Sequence, residues 1–356
     1  MKIAHVRERT APAGTPFRLA AALDPGDRPQ RWIDLETARR RIVAADPQRA
    51  HNSVLFRLPL TTLDDHLGRG LRVAVLGEIV EAARGTAGGL DAGDPDDDAL
   101  LDATDLQFGP PILRPPSFRD FYAFERHVRT MWERRGSEVP EAWYRLPVFY
   151  FGNTSTIRGP GEPVWAPRGS SELDFELEVG AVIDVRASDL TTERAEEAIG
   201  GYTILNDWSA RDLQREETPV RLGPAKGKDF ATSIGPWLVT PDELDSARPA
   251  GVWVPDLRME ATVVTPGGRV VAVGGGAWAD AHYSFGDMLA RASADVPLRP
   301  GELVGSGTVG GGCLLEVRDE TLGRYLEPGD EVTLRIERLG ELRSPVVARP
   351  DERASA

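Results

Sequence analysis

Leu173-Asp174-Phe175-Glu176-Leu177-Glu178-Val179 alternates apolar and acidic residues without a fault. On an extended strand Asp174, Glu176 and Glu178 share one face, and Leu173, Phe175, Leu177 and Val179 turn the other way, toward a core. One reading is a half-buried surface strand with a polar outside. Three like charges on one face repel one another, however, and a divalent cation removes that repulsion. Oxygen-only ligands suit Mg²⁺, Mn²⁺ or Ca²⁺ better than zinc, and no run of Cys and His in the sequence offers zinc a site.

Downstream, Gly201-Tyr202-Thr203-Ile204-Leu205 reads as a buried strand. It runs into Asn206-Asp207-Trp208-Ser209-Ala210-Arg211-Asp212-Leu213-Gln214-Arg215-Glu216. If Asn206 or Asp207 opens a helix over 208–216, then Asp207, Arg211 and Gln214 lie on one face. That pattern fits a capped surface helix with one ion pair. It also fits a further carboxylate for a cation, followed by an Arg and a Gln that hold an anionic substrate. Gly223-Pro224-Ala225-Lys226-Gly227-Lys228-Asp229-Phe230-Ala231-Thr232 then supplies a lysine in a glycine-punctuated loop, without the spacing of a nucleotide P-loop.

Around this centre, residues 164 onward read mostly as strands joined by Pro-Gly and Gly-Asp turns, such as Thr265-Pro266-Gly267-Gly268 and Glu327-Pro328-Gly329-Asp330. Helical patterns are few: 118–135, 192–200, 208–216 and 285–294. The balance predicts an α+β, β-rich fold. Pro110-Pro111-Ile112-Leu113-Arg114-Pro115-Pro116 reads as a stiff connector. It suggests a smaller N-terminal domain over 1–108 and a catalytic domain over 109–356. The N-terminal part carries short strands near 17–20 and 32–35 and helical patterns at 36–45 and 71–83. An acidic loop follows at 88–98, and it lacks the Gly and Glu spacing of a calcium-binding EF-hand.

The chain of 356 residues can bury a sizeable core, and its net charge of −14 disfavours nucleic acid as a partner. A single cysteine, Cys313, allows no internal disulfide. No apolar run is long enough to span a membrane, and the first residues lack the apolar core of a signal peptide, so a cytoplasmic location is expected.

Taken in order, Asp120-Phe121-Tyr122-Ala123-Phe124-Glu125-Arg126-His127, Leu146-Pro147-Val148-Phe149-Tyr150-Phe151-Gly152-Asn153, 173–178, 206–214, 223–232 and Gly305-Ser306-Gly307-Thr308 resemble the fumarylacetoacetate hydrolase family over roughly residues 110–335. The resemblance implies a mixed β-sandwich roll for the catalytic domain, an SH3-like N-terminal domain, and a homodimer. It implies Asp120, Glu176, Glu178 and Asp207 as ligands of Mg²⁺ (or Mn²⁺ or Ca²⁺), with Lys228 as the neighbouring cation and no organic cofactor. Ala231 stands where the animal enzyme has glycine.

His127, seven residues after Asp120, takes the place of the family's catalytic base. Small acylpyruvate hydrolases and oxaloacetate decarboxylases put a Glu three residues after that histidine, where this chain has Thr130. The longer hydrolases use a Glu after a Gly-rich segment, and here Gly310-Gly311-Gly312-Cys313-Leu314-Leu315-Glu316 provides Glu316. Tyr122, Arg135 (or Arg134), Tyr150, Arg211, Gln214 and Thr308 fall at positions that hold substrate carboxylates and carbonyls. The implied reaction is hydrolysis of a C–C bond in a small keto acid or diketone, a 1,3-dicarbonyl or acylpyruvate. Its rivals are decarboxylation or isomerisation of a 2-oxo acid on the same fold and, further off, a non-catalytic metal-binding module.

Overall fold

A computed structural model describes residues 1–85, 97–249 and 254–350. Most of the acidic run at 88–98 falls outside them, and only its end, Asp97 and Asp98, is described, paired with Arg41. The centre of the molecule is a twelve-stranded mixed sheet. Its main path runs Leu100–Asp102, Arg31–Asp34, Arg18–Ala22, Lys2–Glu8, Thr232–Val239, Ile199–Asp207, Leu177–Ile183, Leu303–Gly305, Phe118–Phe121 and Phe149–Gly152. The first strand of the chain thus pairs with a strand from its second half, Ile3 opposite Leu238.

Both faces of this sheet are covered. On one face, Val179, Ala181, Tyr202 and Ile204 pack with a four-stranded antiparallel sheet, through Met259, Ala261, Val332 and Leu334, and with helix Phe285–Ser293. On the other, Val182, Leu205, Ile234 and Leu238 pack with the N-terminal helices Leu35–Ala45 and Gly77–Gly85, through Leu35, Ile42, Ile79 and Val80. A strand covered on both sides gains from apolar residues at every position. Every residue of Ile199–Asp207 and of Leu177–Ile183 is buried. Charged groups placed in such strands need a compensating partner. The α+β class expected from the sequence is the one observed.

Four expectations are corrected. The stretch 173–179 is not one alternating surface strand. Leu173–Asp174 pairs with Ser209–Ala210, the chain breaks at Phe175 and Glu176, and Leu177–Ile183 joins the central sheet. The break has a local cause, because side chains take the backbone donors: Phe175 N–H goes to Asp174 Oδ1 at 2.8 Å and Glu176 N–H to Asn206 Oδ1 at 3.0 Å. The helical pattern at 118–135 is strand Phe118–Phe121 followed by helix Glu125–Glu133, since Asp120 is drawn into parallel register with Gly305. The pattern at 208–216 begins as a helix only at Arg211, so Asp207 sits at the end of a strand and not on a helix face with Arg211. A shorter shift affects 192–200, where strand pairing takes over at Ile199.

Candidate active site

The sheet brings three carboxylates to one point. Asp120 lies on an edge-proximal strand, Glu178 near the start of a central one, and Asp207 at the end of its neighbour. One oxygen from each lies within 4.8 Å of the others, and all three residues are buried. Asp120 Oδ1, Glu178 Oε1 and Asp207 Oδ1 have no hydrogen-bond partner among the described residues. Buried polar atoms without partners are uncommon and call for an explanation. The space around them is kept by Gly305, where a Cβ would stand 2.4 Å from Asp120 Oδ1. Burial, and then the charge of Asp207, pushes the Asp120 carboxyl well above its usual range. Burial, with Asp120 and Asp207 beside it, does the same to Glu178. Asp207 is raised by burial against the opposing pull of Lys228. A hard divalent cation fits this donor set: it is all oxygen, bare toward one point, and short of positive charge.

Glu176 stands apart from that trio. Its Oε1 lies 2.7 Å from Arg211 and its Oε2 2.5 Å from Lys228. Burial works to raise its carboxyl, but Lys228 and Arg211 together outweigh it and hold the group below the usual carboxylate range. Lys228 Nζ also donates to Asp207 Oδ2 at 2.5 Å, so it links the two carboxylates. Burial opposes the ammonium charge, yet Asp207 and Glu176 raise Lys228 above its ordinary value, so it stays charged. The loop that aims Lys228 passes so close to helix Arg211–Glu217 that a Cβ at Gly227 would lie 2.5 Å from Gln214 Cγ.

Arg211 is fixed from behind. Its Nε donates to Asp174 Oδ2 at 2.7 Å and its guanidinium to Gln214 Oε1 at 3.0 Å. Asp174, fully buried, also accepts from Leu314 N–H at 2.8 Å and Leu315 N–H at 2.9 Å. It therefore holds both Arg211 and the segment that carries Glu316. Sequence reasoning set Asp174 among the cation-facing carboxylates and missed this role. The sequence carries no local signal for it, because the alternation runs unbroken through 173–179.

His127 occupies the first turn of helix Glu125–Glu133, with Nδ1 3.1 Å from Glu316 Oε2. Gly311 N–H donates to the same oxygen at 2.8 Å. Burial favours a neutral Glu316, but His127 and Gly311 outweigh it and keep the carboxyl below its ordinary value. Thr130 turns its hydroxyl back to Arg126 O and does not serve His127. The Tyr122 ring meets the imidazole edge-on, with centroids 5.5 Å apart.

Asp120, His127, Glu176, Glu178, Arg211 and Lys228 line one cavity of about 1220 Å³ together with Tyr122, Arg135, Tyr150, Gln214 and Thr308. Tyr150 donates to Asp207 Oδ2 at 2.5 Å, and burial, then the charge of Asp207, keeps its phenol protonated. Arg135 stands exposed at the rim over the Trp132 ring. Thus eleven of the thirteen expected site residues line the cavity, and Asp207 bonds to one that does, Tyr150. Glu316 reaches the cavity through His127.

Residues 117–347 match the family described as fumarylacetoacetate (FAA) hydrolase C-terminal. The fumarylacetoacetase of Arabidopsis thaliana is 31% identical over 272 residues, 61% of this chain and 63% of that protein. The chain thus spans less than two thirds of the length of that relative. Among solved structures, the fumarylacetoacetate hydrolase of Exiguobacterium antarcticum superposes with a TM-score of 0.65 at 22% identity, covering 98% of this chain and all of that one. The 2-hydroxyhepta-2,4-diene-1,7-dioate isomerase of Mycobacterium marinum superposes with a TM-score of 0.60 at 22% identity, covering 99% of this chain and all of that one. At these identities the superpositions show a shared fold.

Proposed function

The chain belongs to the fumarylacetoacetate hydrolase family, and from that premise we propose that it is a metal-dependent hydrolase cleaving a carbon–carbon bond in a 1,3-dicarbonyl or acylpyruvate-type acid. The observation that carries this reading is the contact between His127 and Glu316, 3.1 Å long, beside a floor of buried carboxylates. An enolisation or decarboxylation needs no activated water, whereas a hydrolysis does, and a carboxylate-supported imidazole is suited to activate one.

Asp120, Glu178 and Asp207 would hold the divalent cation, Mg²⁺ by preference, with Glu176 at their side. Bound there, the ion supplies Lewis-acid polarisation of the substrate's oxygens. His127 Nδ1 faces Glu316, which leaves Nε2 free to accept a proton from water. Glu316 stabilises the imidazolium so formed. The hydroxide adds to the substrate carbonyl, and the Lys228 ammonium, with Gln214 and Arg211, stabilises the developing oxyanion. As the C–C bond breaks, one fragment leaves as a carboxylic acid. The other leaves as an enolate, which takes back the proton held by His127. Tyr122, Tyr150, Thr308 and Arg135 position the substrate's carboxylate and carbonyls.

The test is a spectrophotometric assay of the purified protein with acetylpyruvate, fumarylpyruvate and oxaloacetate, each with Mg²⁺ and with EDTA. EDTA-sensitive loss of enol absorbance, with acetate or fumarate plus pyruvate as products, supports the proposal. Turnover of oxaloacetate alone would move the chain to the decarboxylases and deny His127 and Glu316 the water-activating role.

A further inference from the structure

Behind the cavity wall lies a second group of ligating atoms, of a different chemical kind. A His127 ring nitrogen, Cys313 Sγ and a Glu316 carboxylate oxygen lie within 4.8 Å of one another. From Glu316 Oε2 the distances are 3.1 Å to Nδ1 and 3.6 Å to Sγ. Ligands of one tetrahedral zinc stand about 3.4 Å apart for N and O and about 3.6 Å for S and O, given ordinary Zn–N, Zn–O and Zn–S bond lengths. His127 is only 3% exposed, and among the described residues its Nδ1 has no aligned hydrogen-bond partner despite the nearby carboxylate.

We propose that His127, Cys313 and Glu316 form a zinc-binding site, distinct from the carboxylate floor, whose occupation stops turnover. The two sites have opposite preferences. Three oxygens select a hard ion, while an imidazole, a thiolate and a carboxylate select a borderline-soft one. The carboxylates of Asp174, Glu316 and Glu176 bear on the Cys313 sulfur, opposed by the guanidinium of Arg211. Without metal, burial keeps the thiol protonated. Zinc binds the thiolate, and the thiol proton leaves to solvent, so affinity falls as pH falls. A neutral imidazole coordinated through Nδ1 carries its proton on Nε2 and can no longer accept one from water. The block on turnover rests on the base role proposed for His127, whereas the binding does not.

The experiment uses Co²⁺ as an optical stand-in for zinc, titrated into the whole protein with Mg²⁺ in large excess. The expected result is a near-ultraviolet thiolate-to-cobalt charge-transfer band that saturates at one equivalent. Zn²⁺ should abolish it, and Cys313→Ser should lack it. A site made of carboxylates alone cannot produce that band. Its absence from the wild-type protein overturns the site, whatever the variant does. In parallel, Zn²⁺ should inhibit the Mg²⁺-loaded wild type, with Cys313→Ser needing at least tenfold more zinc for the same inhibition. Equal sensitivity would assign the inhibition to the carboxylate floor and overturn the regulatory claim. A band without inhibition would leave the zinc site standing and remove His127 as the base. If Cys313→Ser does not fold, Cys313→Ala and the wild-type titration carry the same comparison.

Discussion

Glu176 and Glu178 lie two residues apart, are both buried, and differ in almost every physical respect. Glu176 has its counter-ions built in, with Lys228 at 2.5 Å and Arg211 at 2.7 Å. Glu178 faces two other carboxylates and leaves Oε1 without a partner among the described residues. Surroundings drive one carboxyl below its usual range and the other well above it. The lesson is that a cluster of buried acids has two solutions. A chain-supplied cation makes a permanent structural network; an unfilled deficit of positive charge makes a site for an ion from outside.

The sharpest way to break this comparison is Glu178→Gln. It should abolish Mg²⁺ binding by calorimetry and turnover with it, together with any rise in melting temperature on adding Mg²⁺. A variant that still binds Mg²⁺ with wild-type affinity would remove Glu178 from the site. Next in size, His127→Ala should cost about 10³-fold in kcat while Mg²⁺ affinity stays near the wild-type value. Full activity in that variant would end the hydrolytic mechanism.

Glu176→Ala tests the other half. It leaves Lys228 and Arg211 each short of a buried partner and should destabilise the fold by about 3 kcal/mol in denaturant melts. A neutral result would mean that Asp207 and Asp174 satisfy the two cations unaided.

The smallest effect concerns pH in EDTA-treated protein. Asp120 and Glu178 have folded values raised above their ordinary 3.8 and 4.5. Their contribution to stability is therefore fully present below those values and is lost as pH rises through the raised ones. Glu176 has the opposite sign: its contribution is present above 4.5 and lost as pH falls through its depressed value. Metal-free protein should thus melt a few degrees lower at pH 8 than at pH 5.5, and Glu178→Gln should flatten that slope. His5 and His66, held below their ordinary value by burial, push the slope the other way over part of this range, so a slope that Glu178→Gln leaves unchanged would show that the trio is not a like-charge cluster.

Much of the site is legible in the sequence. Residue type and spacing along 173–178 and 206–214 point to a carboxylate centre, and the resemblance to the longer hydrolases of the family, carried by Gly310-Gly311-Gly312 ahead of Cys313, implies Glu316 as the partner for His127. Alternation is a local signal, however, and it cannot say which carboxylate of a doubly covered sheet meets which neighbour. Only the tertiary structure decided that Asp174 turns to Arg211, that Glu176 turns to Lys228, and that Asp207 ends a strand instead of opening a helix. Each choice depends on a partner distant in sequence. The same holds for Cys313. In the sequence it is a lone cysteine with no ligand motif around it. In the fold it shares a buried corner with His127, which lies on another element. Covalent spacing determined the chemistry on offer, and long-range packing determined which groups were left without a partner.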